Sequence, residues 1–264
     1  MRLLYEDLTY TVRGCIFDVY NILGTGLDEE CYHIALVERL KELDIPFQSK
    51  VPKYVVHRGK RVHKFIIDLI IDEQVILELK HISTDFIPLN YLQIISYLKC
   101  WEKDLGLLVN FGLPSAAIKR IVYTEKKWQL YEDYDSILDL IRPEDKVTLR
   151  RIRAAILDVV EIHGLGYHES VYQAILLEEF EYKNIDYVPQ KYIPIYFREN
   201  IIREFELKYP FIADKILCGI VAIKDETFLD AARIKTYLKK MNLDYGLLIH
   251  FGKNKLEIIG ISSK

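Results

Sequence analysis

The stretch "RGCIFDVYNILGTGLDEECYHIALVE", residues 13–38, returns 140 residues later as "RAAILDVVEIHGLGYHESVYQAILLE", residues 153–178. Eleven of the 26 paired positions are identical, among them Arg13, Asp18, Gly24, Gly26, Glu29, Tyr32 and Glu38. The same offset carries "YLKCWEKDLGLLVNFG" (97–112) onto "YLKKMNLDYGLLIHFG" (237–252). An offset that holds over so long a span means two copies of one fold with few net insertions. It excludes a solenoid, whose repeats run about 20–50 residues. The chain therefore divides into a first copy at 1–123, a connecting segment at 124–147 with room for a helix, and a second copy at 148–264. Two copies in one chain are expected to pack as an intramolecular pseudo-dimer, as identical chains do in a homodimer, and pairing of whole chains stays open.

Each copy reads α-α-β-β-β-α-β. In the first, Val12, Ile16, Val19 and Leu23 fall at helical spacing, and Gly24-Thr25-Gly26 stops that helix. A second helix is expected over about 28–43, with acids in its first turn, where the helix dipole favours them. Strands are expected at 47–57, 61–71 and 75–82. A helix should start at Pro88, a residue suited to the first helical turn, and "LGLLVNFG" and "AIKRIVY" should close the sheet.

Half of the 264 residues are hydrophobic, which permits a sizeable core, and the formal net charge is −3, which excludes a globally basic nucleic-acid binder but not a local basic patch. Cys15, Cys31, Cys100 and Cys218 are far apart and form no CxxC, so no zinc site is expected. The seven histidines form no metal motif, and His163 and His168, beside a glycine turn, read as ordinary loop residues. No run reaches the eighteen or so apolar residues of a membrane span, and the expectation is a reduced, cytoplasmic protein.

The chemistry concentrates in "DLIIDEQVILELK", residues 68–80. It alternates as a hairpin turning at Asp72-Glu73-Gln74. Side chains two apart on a strand share a face, so Glu78 and Lys80 point the same way, and a turn near residue 73 sets Asp68 opposite Glu78. Carboxylates that close repel unless positive charge stands between them. Lys80 can supply it, and so can a divalent cation: Mg²⁺ takes one or two carboxylates and completes its shell with phosphate oxygens and water. The bland alternative makes all three solvent-face residues of a half-exposed hairpin.

Two further features join this hairpin. "GLDEECY" holds Gly26, Glu29 and Tyr32 as G-x-x-E-x-x-Y, and "LNYLQIISYLK" places Gln93 on the following helix. With the D-x9-E-x-K of Asp68, Glu78 and Lys80 and the closing "LGLLVNFG", the first copy from Leu8 to Tyr123 resembles the GxxExxY proteins, a branch of the PD-(D/E)XK nuclease superfamily. The resemblance implies tandem restriction-endonuclease-like α/β domains. It gives Asp68 and Glu78 as ligands of Mg²⁺ or Mn²⁺, with Glu29 adding to the metal shell. Lys80 serves the hydrolytic water, and Gln93 helps hold the site. The residue before Asp68 is Ile67 where the family pattern has proline. In the second copy the offset gives Lys208 for Asp68, Cys218 for Glu78, Ile220 for Lys80 and Arg233 for Gln93, whereas Glu29 survives as Glu169. That survival without partners also allows a bracing role for Glu29 in both copies. Asp214 lies in the turn before the altered strand.

Between Ile45 and Ile67 stand Lys50, Lys53, Arg58, Lys60, Arg61 and Lys64 with no acid among them. Lys53, Arg58, Lys60, Arg61 and Lys64 are candidate phosphate contacts, against the alternative of a solvated hairpin edge guarded by lysines. The expected function is metal-dependent hydrolysis of nucleic-acid phosphodiesters at one site per chain, DNA ahead of RNA. The rival is a non-catalytic nucleic-acid-binding or scaffolding protein with an inherited nuclease fold.

Overall fold

The computed structural model describes residues 4–125, 127–188, 191–207, 211–212, 215–222 and 227–264. They group into two compact units, one of residues 1–55 and 64–125, the other of residues 56–63 and 126–264.

In the first unit, helix α1 (Glu6–Leu23) buries Val12, Cys15, Ile16 and Val19, the face its spacing predicts, and ends at Gly24 with φ 68°. Helix α2 (Glu29–Glu42) is capped by Asp28, whose carboxylate accepts from the Cys31 backbone N–H at 2.9 Å. Strands β1 (Phe47–His57), β2 (Lys60–Ile71) and β3 (Val75–Lys80) follow, then helix α3 (Pro88–Trp101), β4 (Leu105–Asn110) and β5 (Ala117–Val122). The sheet order is β1-β2-β3-β4-β5. β2 and β3 are antiparallel and paired Leu69 to Leu77, Ile70 to Ile76 and Ile71 to Val75. α3 then crosses over to β4, parallel to β3. β4 is buried along its whole length, as a central strand covered on both faces must be. Gly106 lets α3 approach, since a Cβ there would stand 2.6 Å from the Ile94 Cδ1.

The second unit has helices α4 (Asp145–His163) and α5 (Glu169–Tyr182), which keep the 140-residue offset from α1 and α2. The segment expected to be a connection contains strand β6 (Gln129–Asp133), parallel to the last strand, and a single 3-10 turn at Leu138–Leu140. Strands β7 (Tyr187–Val188), β8 (Lys191–Phe197), β9 (Asn200–Leu207), β10 (Phe211–Ile212) and β11 (Ile216–Val221) lead to helix α6 (Thr227–Met241), β12 (Tyr245–Phe251) and β13 (Lys255–Ser262). One six-stranded sheet has the order β6-β13-β12-β11-β10-β7, and β8 and β9 form a separate two-stranded ribbon. The long strands expected by analogy with β1 and β2 are thus assigned in shorter pieces here. Among the described residues no helix is long and apolar enough to cross a membrane.

The G-x-x-E-x-x-Y stretch has the same structure in both units. The Tyr32 hydroxyl donates to the Gly24 carbonyl at 3.0 Å and accepts from the Leu27 N–H at 3.3 Å, and its ring stacks on Phe111 at 4.5 Å. Tyr172 repeats this with the Gly164 carbonyl at 2.9 Å, the Tyr167 N–H at 3.2 Å and Phe251 at 4.0 Å. Gly26 and Gly166, at φ 105° and 113°, turn the chain between helices where a side chain would be strained. The glycine and the tyrosine of the motif are therefore a brace between the helix corner and the end of a central strand.

Candidate active site

The β2–β3 hairpin is buried, so the solvent-face alternative does not hold: Asp68 is 7 % exposed and Glu78 3 %. The pairing of Leu69 with Leu77, continued by one residue, sets 68 against 78. There the ladder changes character. The Leu79 backbone N–H donates to the Asp68 carboxylate at 2.8 Å, which fixes that side chain toward Glu78. Lys80 donates to Glu78 Oε1 at 2.5 Å. From α3, Gln93 donates to the same oxygen at 2.6 Å and to the Tyr97 hydroxyl at 2.8 Å. Burial raises the Glu78 pKa to about 8, and the neighbouring Asp68 charge adds to the rise while Lys80 opposes it. Burial likewise raises the Tyr97 phenol, and the Glu78 charge adds to it.

Asn110, at the end of β4, holds the loop that leaves Lys80. Its side chain accepts from the Ile82 and Gly112 N–H groups at 3.0 and 2.9 Å and donates to the Ile82 and Thr84 carbonyls at 2.9 and 3.1 Å. Glu29, at the start of α2, is raised in pKa by burial, and the charges that act on it are Lys80, Asp68, Lys50 and Glu30. Among the described residues, no group of three or more His, Cys, Asp and Glu side chains is placed to hold a metal ion.

One member of the cluster was not singled out in the sequence. Lys50, in β1, donates to Asp68 Oδ1 at 2.7 Å. Burial lowers its pKa, but the hydrogen bond and charge of Asp68 outweigh that and leave it raised. Its backbone is left-handed, φ 50°, which interrupts the period of two in the strand. Alternation therefore cannot predict which way Lys50 faces.

The basic run separates into two groups. Lys53 stands over the Trp101 ring at 5.9 Å and Lys64 over Tyr54 at 6.0 Å, both in the first unit. The hairpin tip, residues 56–63, belongs to the second unit, and its cations meet acids there. Arg58 donates to both carboxylate oxygens of Glu179 at 2.9 and 3.1 Å and lies over Tyr182 at 4.3 Å. Lys60 pairs with Glu178 at 2.8 Å and Glu181 at 3.1 Å. Arg61 lies in the same tip.

The second unit's β11 and β12 correct the simple offset. Glu78 pairs with Leu108 and Lys80 with Asn110, whereas Gly219 pairs with Leu248 and Val221 with His250. The counterparts of Glu78 and Lys80 are therefore Gly219 and Val221, one residue beyond Cys218 and Ile220, because the chain gains one residue before β11. A Cβ at Gly219 would stand 2.3 Å from the Ile234 Cδ1, so an apolar side chain fills the place a carboxylate would need. Arg233, in the place of Gln93, pairs with Asp230 at 2.8 Å. Glu169 opens α5 as Glu29 opens α2. Lys208 and Asp214 lie outside the described residues.

A family profile described as the PD-(D/E)XK nuclease superfamily matches residues 6–121 and again residues 146–261. The chain belongs to this superfamily. Both PD-(D/E)XK copies have the mixed α/β architecture of a restriction-endonuclease-like fold. No curated protein matches. A solved structure titled "Crystal structure of SSO0001" is similar at 21 % identity and a TM-score of 0.31; the match covers 46 % of this chain and 62 % of that one.

PD-(D/E)XK nucleases generally use divalent metals, and the donors present in the first copy suit one. Asp68 and Glu78 are both buried and face each other, burial raises the Glu78 pKa, and hard oxygen donors are what Mg²⁺ and Mn²⁺ take.

Proposed function

We propose that the first copy is a metal-dependent phosphodiesterase acting on nucleic acid, of the GxxExxY branch, with a single active site per chain. The observation that carries this reading is the convergence of Asp68, Glu78, Lys80 and Gln93 from β2, β3 and α3 on one buried cluster. Asp68 and Glu78 would hold a Mg²⁺ or Mn²⁺ ion, with Glu29 as a further acid at the edge. Such an ion polarises a phosphoryl oxygen and lowers the pKa of water at the scissile phosphate.

The chain's own groups have separate tasks. Leu79 N–H fixes Asp68, and Gln93 fixes Glu78, so neither carboxylate must reorganise. Lys80, 16 % exposed at its side chain, holds a cation where the attacking water and the developing negative charge would stand. Asn110 and Phe111 tie down the chain after Lys80 and keep its ammonium in reach of that position. Lys53, Lys64 and Arg61 are the candidate phosphate contacts, with DNA favoured over RNA. Arg58 and Lys60 are engaged by acids of the second unit.

A second reading has its own support. Lys50 and Lys80 already neutralise Asp68 and Glu78 at 2.7 and 2.5 Å, as they would in a binding or scaffolding protein that needs no cation. Cleavage separates the two readings. Purified protein with Mg²⁺ or Mn²⁺ should cut labelled nucleic acid, and Lys80→Ala should lower the rate by about 10²–10⁴-fold while leaving binding intact. Binding without metal-dependent cleavage in the wild type would leave only the scaffold.

A further inference from the structure

Both carboxylate oxygens of Asp68 are engaged. Oδ2 accepts from the Leu79 backbone N–H at 2.8 Å, a partner the sheet holds in place, and Oδ1 accepts from Lys50 Nζ at 2.7 Å. Of these two partners only Lys50 is free to leave. Its side chain is 42 % exposed, and a second acid, Glu30, stands 3.9 Å from the same ammonium. Lys50 lies within β1 at φ 50°, a left-handed conformation that a residue with a side chain keeps only where its surroundings enforce it. The residue before it supplies part of that hold. Ser49 is hydrogen-bonded through its hydroxyl to Nε2 of His33 at 2.7 Å, and His33, on α2, is 4 % exposed. In the sequence of the second copy, the positions 140 residues beyond Glu30, His33, Ser49, Lys50 and Asp68 carry Ser170, Gln173, Pro189, Gln190 and Lys208. The lysine, its supports and its second acid are thus replaced together with the aspartate.

We propose that Lys50 is an exchangeable counter-ion of Asp68: its ammonium competes with the divalent metal for Oδ1 and moves onto Glu30 when it gives that oxygen up. This rests on the reading of the first copy as a metal-dependent enzyme. An ammonium and a divalent cation beside one carboxylate oxygen repel, and the repulsion is stronger in a buried site than in water. Lys50 seated on Asp68 therefore makes the site unfit for metal, and the apparent metal affinity is reduced to the fraction of molecules in which Lys50 is away. Glu30 sets that fraction, because it offers the ammonium its other seat. Lys80 and Gln93 both go to Glu78 Oε1, so this exchange leaves the hold on Glu78 unchanged. Lys50 is a positioning residue in this scheme, and Asp68 has a positive partner before and after the exchange.

Calorimetric titration of the full chain with Mn²⁺ tests this. Lys50→Gln should bind Mn²⁺ at least about tenfold more tightly than the wild type, because the competitor is gone. Lys50→Arg, which keeps the charge, should bind no more tightly than the wild type. Thermal denaturation gives a second readout. In a chelator Lys50→Gln should melt below the wild type, since Asp68 has lost its counter-ion, and saturating Mn²⁺ should raise its melting temperature by more than it raises that of the wild type. Glu30→Gln, at an exposed position, should weaken Mn²⁺ binding in the wild-type background and much less in Lys50→Gln, where there is no ammonium to receive. A wild type that binds Mn²⁺ and a Lys50→Gln that binds it no more tightly overturn the exchange and leave the metal-dependent reading standing. Absence of Mn²⁺ binding in both proteins overturns the two together. An equal effect of Glu30→Gln in both backgrounds overturns Glu30 as the second seat.

Discussion

Burial, with the Asp68 charge adding to it, raises the Glu78 pKa to about 8, and this gives the fold a pH dependence with a definite sign. The folded carboxyl keeps its proton to higher pH than the unfolded one, whose ordinary value is 4.5. The folded state therefore binds more protons between these values, and stability falls as pH rises through that window. In a chelator, the melting temperature should drop between about pH 5 and pH 9. In Glu78→Gln, which cannot ionise, that part of the drop should vanish, and thermal denaturation at the two pH values reads the difference. An equal drop in both proteins would show that Glu78 ionises freely in the fold. Burial raises Glu29 in the same direction, so the variant removes only part of the slope. At this scale the sequence was legible for Asp68, Glu78 and Lys80, because strand period and turn length fix who faces whom, whereas Gln93, on a helix, was reached only through the family resemblance. Lys50 was hidden by its left-handed backbone, a conformation that an L residue's name does not announce.

At the scale of elements, α1, α2, β1–β5 and α3 could be read from spacing, caps and Pro88 to within a few residues. The departures lie where pairing partners are far away in sequence. β6 is an edge strand only because β13, more than a hundred residues later, offers it a ladder, and the segment's charged composition carries no sign of that partner. The one-residue shift before β11 is equally invisible, since "KILCGIVAIK" has apolar residues at every register. The contact of Gly219 with Ile234 makes the shift testable. Gly219→Ala should destabilise the protein by about 1–3 kcal/mol through overpacking. Adding Ile234→Val, which removes the methyl at 2.3 Å, should recover much of it. Urea unfolding measures both. If Gly219→Ala unfolds like the wild type, the helix does not lie against the strand in this register.

For the whole molecule, the two copies keep a common frame but differ in what that frame can do. Calorimetric titration with Mn²⁺ should find one site per chain, abolished by Glu78→Gln and untouched by changes at Cys218 or Val221. A second site in the wild type would contradict the single-site reading. The brace of Tyr32 on Gly24 and Phe111, matched by Tyr172 on Gly164 and Phe251, has a wider consequence. The glycine and the tyrosine of the G-x-x-E-x-x-Y stretch spell a hinge-pin of the architecture. They persist in a domain where Gly219 and Val221 stand in place of the acid and the lysine. A search keyed on that glycine and tyrosine therefore finds the corner whether or not the acids and the lysine are present. Telling those cases apart requires looking across the hairpin, at the residues opposite each other in β2 and β3.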